Sequence, residues 1–119
     1  MNLTISKRRV GDVIVLDIRG RITFGDETNL LRNEVKAELA EQPTAVLLNL
    51  SQVNYVDSGG IGTLVALYTS AHGSGCELKM ASPNERVKHV LEITKLYPIL
   101  GVYPSEDKAL ASLQRRASA

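Results

Sequence analysis

Within residues 3–9, Leu3 and Ile5 alternate with polar neighbours, and a Gly11-Asp12 turn signal separates them from the apolar run VIVLDI at 13–18. Two extended runs around a turn predict an antiparallel hairpin. The period then lengthens. Leu31, Val35 and Leu39 recur every fourth residue with Leu30 beside them, so a helix is expected from an N-cap at Asp26 until Pro43 ends it. AVLLNL at 45–50 predicts a buried strand, and the Ser, Asn, Asp and Gly of 51–60 have a loop composition. A second helix starts near Ser58, with Ile61, Leu64, Val65 and Tyr68 at helical spacing and Gly73 and Gly75 as stop signals.

Cys76, Leu78 and Met80 alternate with Glu77 and Lys79, the pattern of a strand covered on one face. Pro83 in a first helical turn opens a third helix, whose stripe is Val87, Val90, Leu91 and Thr94. ILGVY at 99–103 predicts a short last strand, and Ser105 caps a final helix with Ala109, Leu110 and Leu113 inward. Residues 113–119 are expected to fray.

The order ββαβαβαβα demands right-handed crossovers and therefore an α/β fold: a mixed, mostly parallel sheet with an N-terminal antiparallel hairpin. About four helices are expected, packed mainly on one face. The chain's 119 residues suit one domain, 1–119, and 44% hydrophobic with 23% charged residues is the balance of a self-sufficient core. A net charge of +1 and the absence of Trp argue against direct DNA contact, which needs a local excess of cations or stacking platforms. Two His and one Cys leave little for a metal site, and no cofactor is expected. Cys76 has no disulfide partner, and the N-terminal segment lacks a secretory apolar region, which together point to a reducing cytoplasm. The apolar runs 13–16 and 45–48 are far shorter than the roughly 18 residues of a membrane span, so no membrane insertion is expected.

In parallel sheets, sites gather where strands end and helices begin, because helix N-termini bring unpaired N–H groups and partial positive charge to one rim. Three loops meet that rim, 21–26, 54–60 and 82–84. The middle one, Asn54-Tyr55-Val56-Asp57-Ser58-Gly59-Gly60-Ile61-Gly62, sets three glycines around one hydroxyl. Ser58 as an N-cap accepting from Gly60 or Ile61, with glycines for close packing, is the plainest account. Three glycines nevertheless oppose helix formation by about as much per residue as one cap contributes. Ser58 as a hydrolase nucleophile needs a nearby His. His72 lies 14 residues along the helix, about 21 Å away, with no carboxylate to orient it, and His89 is the only other candidate. A phosphate-cradling loop lacks the Lys and the full glycine pattern. The remaining account is a switch in which the glycines bare Ser58 to a partner's active site.

Residues 20–110 resemble a STAS domain of the bacterial anti-sigma factor antagonists. The likeness is carried by Gly20-Arg21-Ile22, Val46-Leu47-Leu48-Asn49-Leu50, Val53, Val56-Asp57-Ser58, Gly60-Ile61-Gly62, Glu77-Leu78-Lys79 and the stretch from Val90-Leu91 to Tyr97. The resemblance implies a non-enzymatic regulator in which Ser58 is phosphorylated by an anti-sigma factor that is itself a serine kinase. Unphosphorylated, the chain would bind that kinase and free a sigma factor; a metal-dependent serine phosphatase would restore it. Thr23, Phe24, Asp26, Asn54, Tyr55, Asp57, Gly59, Gly60, Ile61 and Ser82 are the implied switch-loop and partner contacts. Two positions depart from the family pattern: Gly59 stands where Ser or Thr is common, and Thr23 where many members have Asp. The alternative within the same fold is a non-switching STAS subunit of a transporter or other complex, with Ser58 merely capping its helix.

Other residues have two readings each. Phe24 is either an exposed partner anchor or a staple against the following helix. Arg86, Lys88 and His89 form a basic edge that meets an acidic partner or simply faces water. Cys76 is read as a small core residue. Arg115-Arg116-Ala117-Ser118 resembles a basophilic kinase site, although a solvated tail explains it as well.

Overall fold

The N-terminal alternation folds as the expected hairpin, β1 (Leu3–Val10) antiparallel to β2 (Val13–Ile22). In the computed structural model, which describes residues 2–117, the chain continues through α1 (Asp26–Ala40), β3 (Ala45–Val56), α2 (Ser58–Gly73) and β4 (Glu77–Ala81). It ends with α3 (Glu85–Ile93), β5 (Val102–Tyr103) and α4 (Glu106–Ala117). The strands lie in sequence order, β1-β2-β3-β4-β5, and every pair after the first is parallel.

Side chains of the central strands alternate between two cores. Ile14, Leu16 and Ile18 of β2, Val46, Leu48 and Leu50 of β3, and Leu78 and Met80 of β4 meet Leu31 and Val35 of α1, Leu64 and Leu67 of α2, and Val87 and Leu91 of α3. Val13, Val15, Ala45, Leu47 and Ala81 face the other way, against Ala109, Leu110 and Leu113 of α4. Burial on both faces is why VIVL and AVLL are unbroken apolar runs rather than alternating ones. Arg8 ties α4 to the hairpin. Its guanidinium donates to Asp17 Oδ2 at 2.7 Å and Oδ1 at 3.0 Å and to both carboxylate oxygens of Glu106, while Asn49 Nδ2 donates to Asp17 Oδ1 at 2.7 Å. The Arg8 hydrogen bonds hold the Asp17 carboxyl below its usual range, and the Asp17 and Glu106 contacts raise that of Arg8.

Several expected boundaries are corrected. Residues 51–56 are strand, not loop: β3 continues to Val56 alongside Arg19–Ile22 of β2. Its register against β2 shifts between Asp17 and Arg19, where Asn49 and Gln52 are the partners, and again between Gly20 and Arg21. Each shift inserts one extra residue into β3 and so breaks the alternation on which a sequence reading depends. The helix after β2 is capped by Gly25, with Asp26 already in its first turn. Pro83 precedes α3, whose N-cap is Asn84. The last strand shrinks to Val102–Tyr103. Helix α4 runs to Ala117, into the segment expected to fray; residues 118–119, with Ser118 of the Arg-Arg-Ala-Ser pattern, lie outside the described residues. Among the described residues no helix is long and apolar enough to cross a membrane.

Candidate functional site

Because β2 and β3 run parallel with Ile22 opposite Val56, the loops that follow them leave the sheet side by side. Asp57 joins them. Its N–H donates to the Ile22 carbonyl at 3.3 Å, its Oδ1 accepts from the Gly60 N–H at 2.7 Å, and its Oδ2 accepts from the Phe24 N–H at 3.1 Å. One carboxylate therefore caps α2 and pins the neighbouring loop. The N-cap of α2 is Asp57, which corrects the reading of Ser58 as the cap. Ser58 is the first helical residue; it is exposed, and its hydroxyl has no hydrogen-bond partner among the described residues.

The three glycines have three different surroundings. A Cβ on Gly60 would lie 2.2 Å from the Ile22 carbonyl oxygen and 2.8 Å from Val56 Cγ1, so only glycine lets α2 start this close to the sheet. On Gly59 it would lie 2.6 Å from Phe24 Cβ and 3.2 Å from Phe24 Cα. On Gly62 it would meet nothing within 4 Å. Ile61 is half-buried, packs on the larger core, and donates its N–H to the Asp57 carbonyl at 2.9 Å.

In the first loop, Phe24 is 82% exposed, which rules out a staple against α1. Gly25 follows at φ 118°, a conformation side chains disfavour, and its N–H donates to Thr28 Oγ1 at 3.0 Å. Thr23 accepts from the Thr28 N–H at 3.2 Å, and its hydroxyl donates to Glu27 Oε1 at 3.3 Å. The Asn2 N–H, donating to Glu27 Oε2 at 2.8 Å, holds that carboxyl below its usual range. Asp26 is exposed beside them. On β3, Asn54 is exposed, and Tyr55 is half-buried with the Arg21 guanidinium 5.1 Å from its ring centroid.

Ser82 lies on the third loop at φ 62°, its N–H donating to the Tyr103 carbonyl at 2.9 Å. Asn84, absent from the expected set, fastens this loop to the site strand: Oδ1 accepts from the Val87 N–H at 2.8 Å while Nδ2 donates to the Val53 carbonyl at 3.1 Å. An Asn directly before a helical stripe is the signal that marks it. Arg86 and His89 are exposed, and Lys88 Nζ stands 5.9 Å from the Tyr97 ring centroid. Cys76 is buried, and burial pushes its thiol up. His72 sits in the last turn of the helix that Ser58 begins, so the two side chains occupy opposite ends of α2.

Fold and rim together define a small α/β domain with a bare hydroxyl on a pre-formed helix start. The model of the STAS domain family matches residues 4–109, and the chain belongs to that family. An anti-sigma F factor antagonist of Paenibacillus polymyxa is 24% identical over 114 residues, covering 96% of this chain and 97% of the relative. An anti-sigma-B factor antagonist of Bacillus subtilis is 28% identical over 102 residues, with 86% and 92% covered. The crystal structure of an anti-sigma factor antagonist from Mycobacterium paratuberculosis shares the fold with a TM-score of 0.83 at 24% identity, covering 94% of both chains.

Proposed function

We propose that this chain is an anti-sigma factor antagonist working in the bacterial cytoplasm as a phosphorylation-controlled partner switch. Unphosphorylated, it binds an anti-sigma factor serine kinase through Ser58 and the surrounding Thr23, Phe24, Asp26, Asn54, Tyr55, Asp57, Gly59, Gly60, Ile61 and Ser82, and a sigma factor is released. The kinase then ends the complex: Ser58 Oγ attacks the γ-phosphorus of ATP, an O–P bond forms, ADP leaves and the hydroxyl proton passes to the kinase or solvent. A serine phosphatase hydrolyses the ester with water and resets the chain.

The observation that carries this reading is the Ser58 hydroxyl, exposed and unengaged at the first position of α2 while Asp57 does the capping. A phosphate there adds about −1.5 to −2 charges beside the Asp57 carboxylate. The α2 N-terminus offsets part of that charge, so the fold survives while an interface closed over the spot does not. A penalty of about 3 to 4 kcal/mol amounts to several hundredfold in affinity.

The test uses the anti-sigma factor kinases of the same genome. With ATP, the cognate kinase should add one phosphoryl group at Ser58, and Ser58→Ala should block it. Without ATP, Ser58→Ala should bind as the unmodified chain does and Ser58→Asp at least tenfold more weakly. Equal binding of both variants would overturn the switch.

A further inference from the structure

We propose that Phe24 and Gly59 form a matched pair that selects the partner: Gly59 leaves the space in which the 23–25 loop rests, and Phe24 enters an apolar socket on the anti-sigma factor, bordered by basic side chains. This rests on the proposed function and names the residue that would give the interface its specificity.

Among the described residues Phe24 is the most exposed large hydrophobic, at 82% against 62% for Ile93 and 57% for Ile99. Its backbone is nonetheless fixed. The Phe24 N–H is held by Asp57, the Thr23 carbonyl by the Thr28 N–H, and the Gly25 N–H by Thr28 Oγ1. An aromatic side chain offered on a fixed backbone loses little freedom on docking, the property of an interface anchor. The contact with Gly59 reaches the Phe24 backbone as well as its ring: the added Cβ would sit 2.6 Å from Cβ, 3.1 Å from Cδ2 and 3.2 Å from Cα. A side chain at 59 must therefore displace the loop itself and with it the Asp57 hydrogen bond. Residue 59 thus decides whether the loop can hold position 24, and the ring it carries, in this place.

The charges around the ring define the socket's rim. Asp26 is exposed, Glu27 shares the first turn of α1, and Asp57 lies under the loop; against these three carboxylates stand two cations, Arg21 over the Tyr55 ring and Arg32 hydrogen-bonded to Asn29 and Thr63. Basic side chains complement that set.

The experiment measures Kd for the cognate anti-sigma kinase, without ATP, for the full unphosphorylated chain, F24A, G59S, F24A/G59S and S58D. Hydrogen exchange at the Phe24 amide is followed in the free proteins. F24A should weaken binding at least tenfold with an unchanged melting temperature, because the ring is exposed. G59S should weaken it similarly and accelerate exchange at the Phe24 amide, and the double variant should bind within threefold of the weaker single one. F24A binding within twofold of the unsubstituted chain, with S58D still impaired, would overturn the anchor and leave the proposed function standing. Losses that multiply in the double variant would overturn the pairing. An unsubstituted chain that binds none of its genome's anti-sigma kinases would overturn the proposed function and this inference together.

Discussion

Replacing Gly60 or Gly62 with alanine makes the same chemical change two residues apart in one helix, yet the two should shift stability in opposite directions. Both gain about 1 kcal/mol of helix propensity. At Gly62 nothing opposes that gain, since the new methyl meets no atom within 4 Å, and the melting temperature should rise by about 4 °C for a domain of this size. At Gly60 the methyl would sit 2.2 Å from the Ile22 carbonyl oxygen, more than 1 Å inside normal contact, and 2.8 Å from Val56 Cγ1. The obstacle is backbone, so a rotamer change does not relieve it, and α2 must move off the end of β2. Overpacking of this kind costs about 3 kcal/mol, leaving a net loss of about 2 kcal/mol and a gap of about 3 kcal/mol, or about 12 °C, between the variants. Thermal and urea unfolding of the two proteins measure it, with an unchanged urea slope confirming that the folded state is the same. Equal stability of the two variants would refute the close approach of α2 to β2 on which the site geometry depends.

Three further outcomes follow from the same contacts. Asp57→Asn keeps an acceptor for the Gly60 N–H but places an amide donor against the Phe24 N–H, so it should cost about 1 kcal/mol and speed exchange at Phe24 while Gly60 stays protected. Asp57→Ala removes the cap as well and should cost about 2 kcal/mol; equal exchange at both amides in the Asn variant would contradict the divided role of the carboxylate. Arg8→Ala should cost about 1 kcal/mol at neutral pH, because the network is partly screened by solvent. Since Asp17 titrates below the usual carboxylate value, its contribution is complete above about pH 4 and disappears as pH falls through its lower folded value, so melting curves of the two proteins should converge in acid. A gap that stays constant down to pH 2 would contradict the pairing.

The strands and helices were legible because their apolar residues keep one period for several turns, as Leu31, Val35 and Leu39 do in α1. The C-terminal half of β3 was not. Its two extra residues turn Leu50, Val53 and Val56 inward at intervals of three, and Ser51, Gln52 and Asn54 between them imitate a loop. The shortness of β5 was hidden for another reason: Ile99 and Leu100 have strand-like side chains, yet Leu100 enters the core from a turn and Ile99 stays exposed. The density of glycines in 59–62 was legible, but the separate surroundings of Gly59 and Gly60 depend on Phe24 and Ile22, more than thirty residues earlier in the chain.

The capping error bears most directly on function. Asp and Ser are both good N-caps, and in Asp57-Ser58 a sequence reading has no local basis for choosing between them. The choice is made from outside the pair: the Phe24 N–H needs an acceptor once the parallel strands bring it beside the helix start, and only a carboxylate has a second oxygen for it while the first holds Gly60. With Asp57 thus committed, Ser58 moves to the first helical position, where its hydroxyl has no structural duty. Had Ser58 been the cap, modifying it would have removed the interaction that starts α2, and each turn of the proposed cycle would have destabilised the domain. In the proposed switch, separating the two tasks between adjacent residues would let Ser58 carry a phosphate while the helix start, the loop and Phe24 keep their framework.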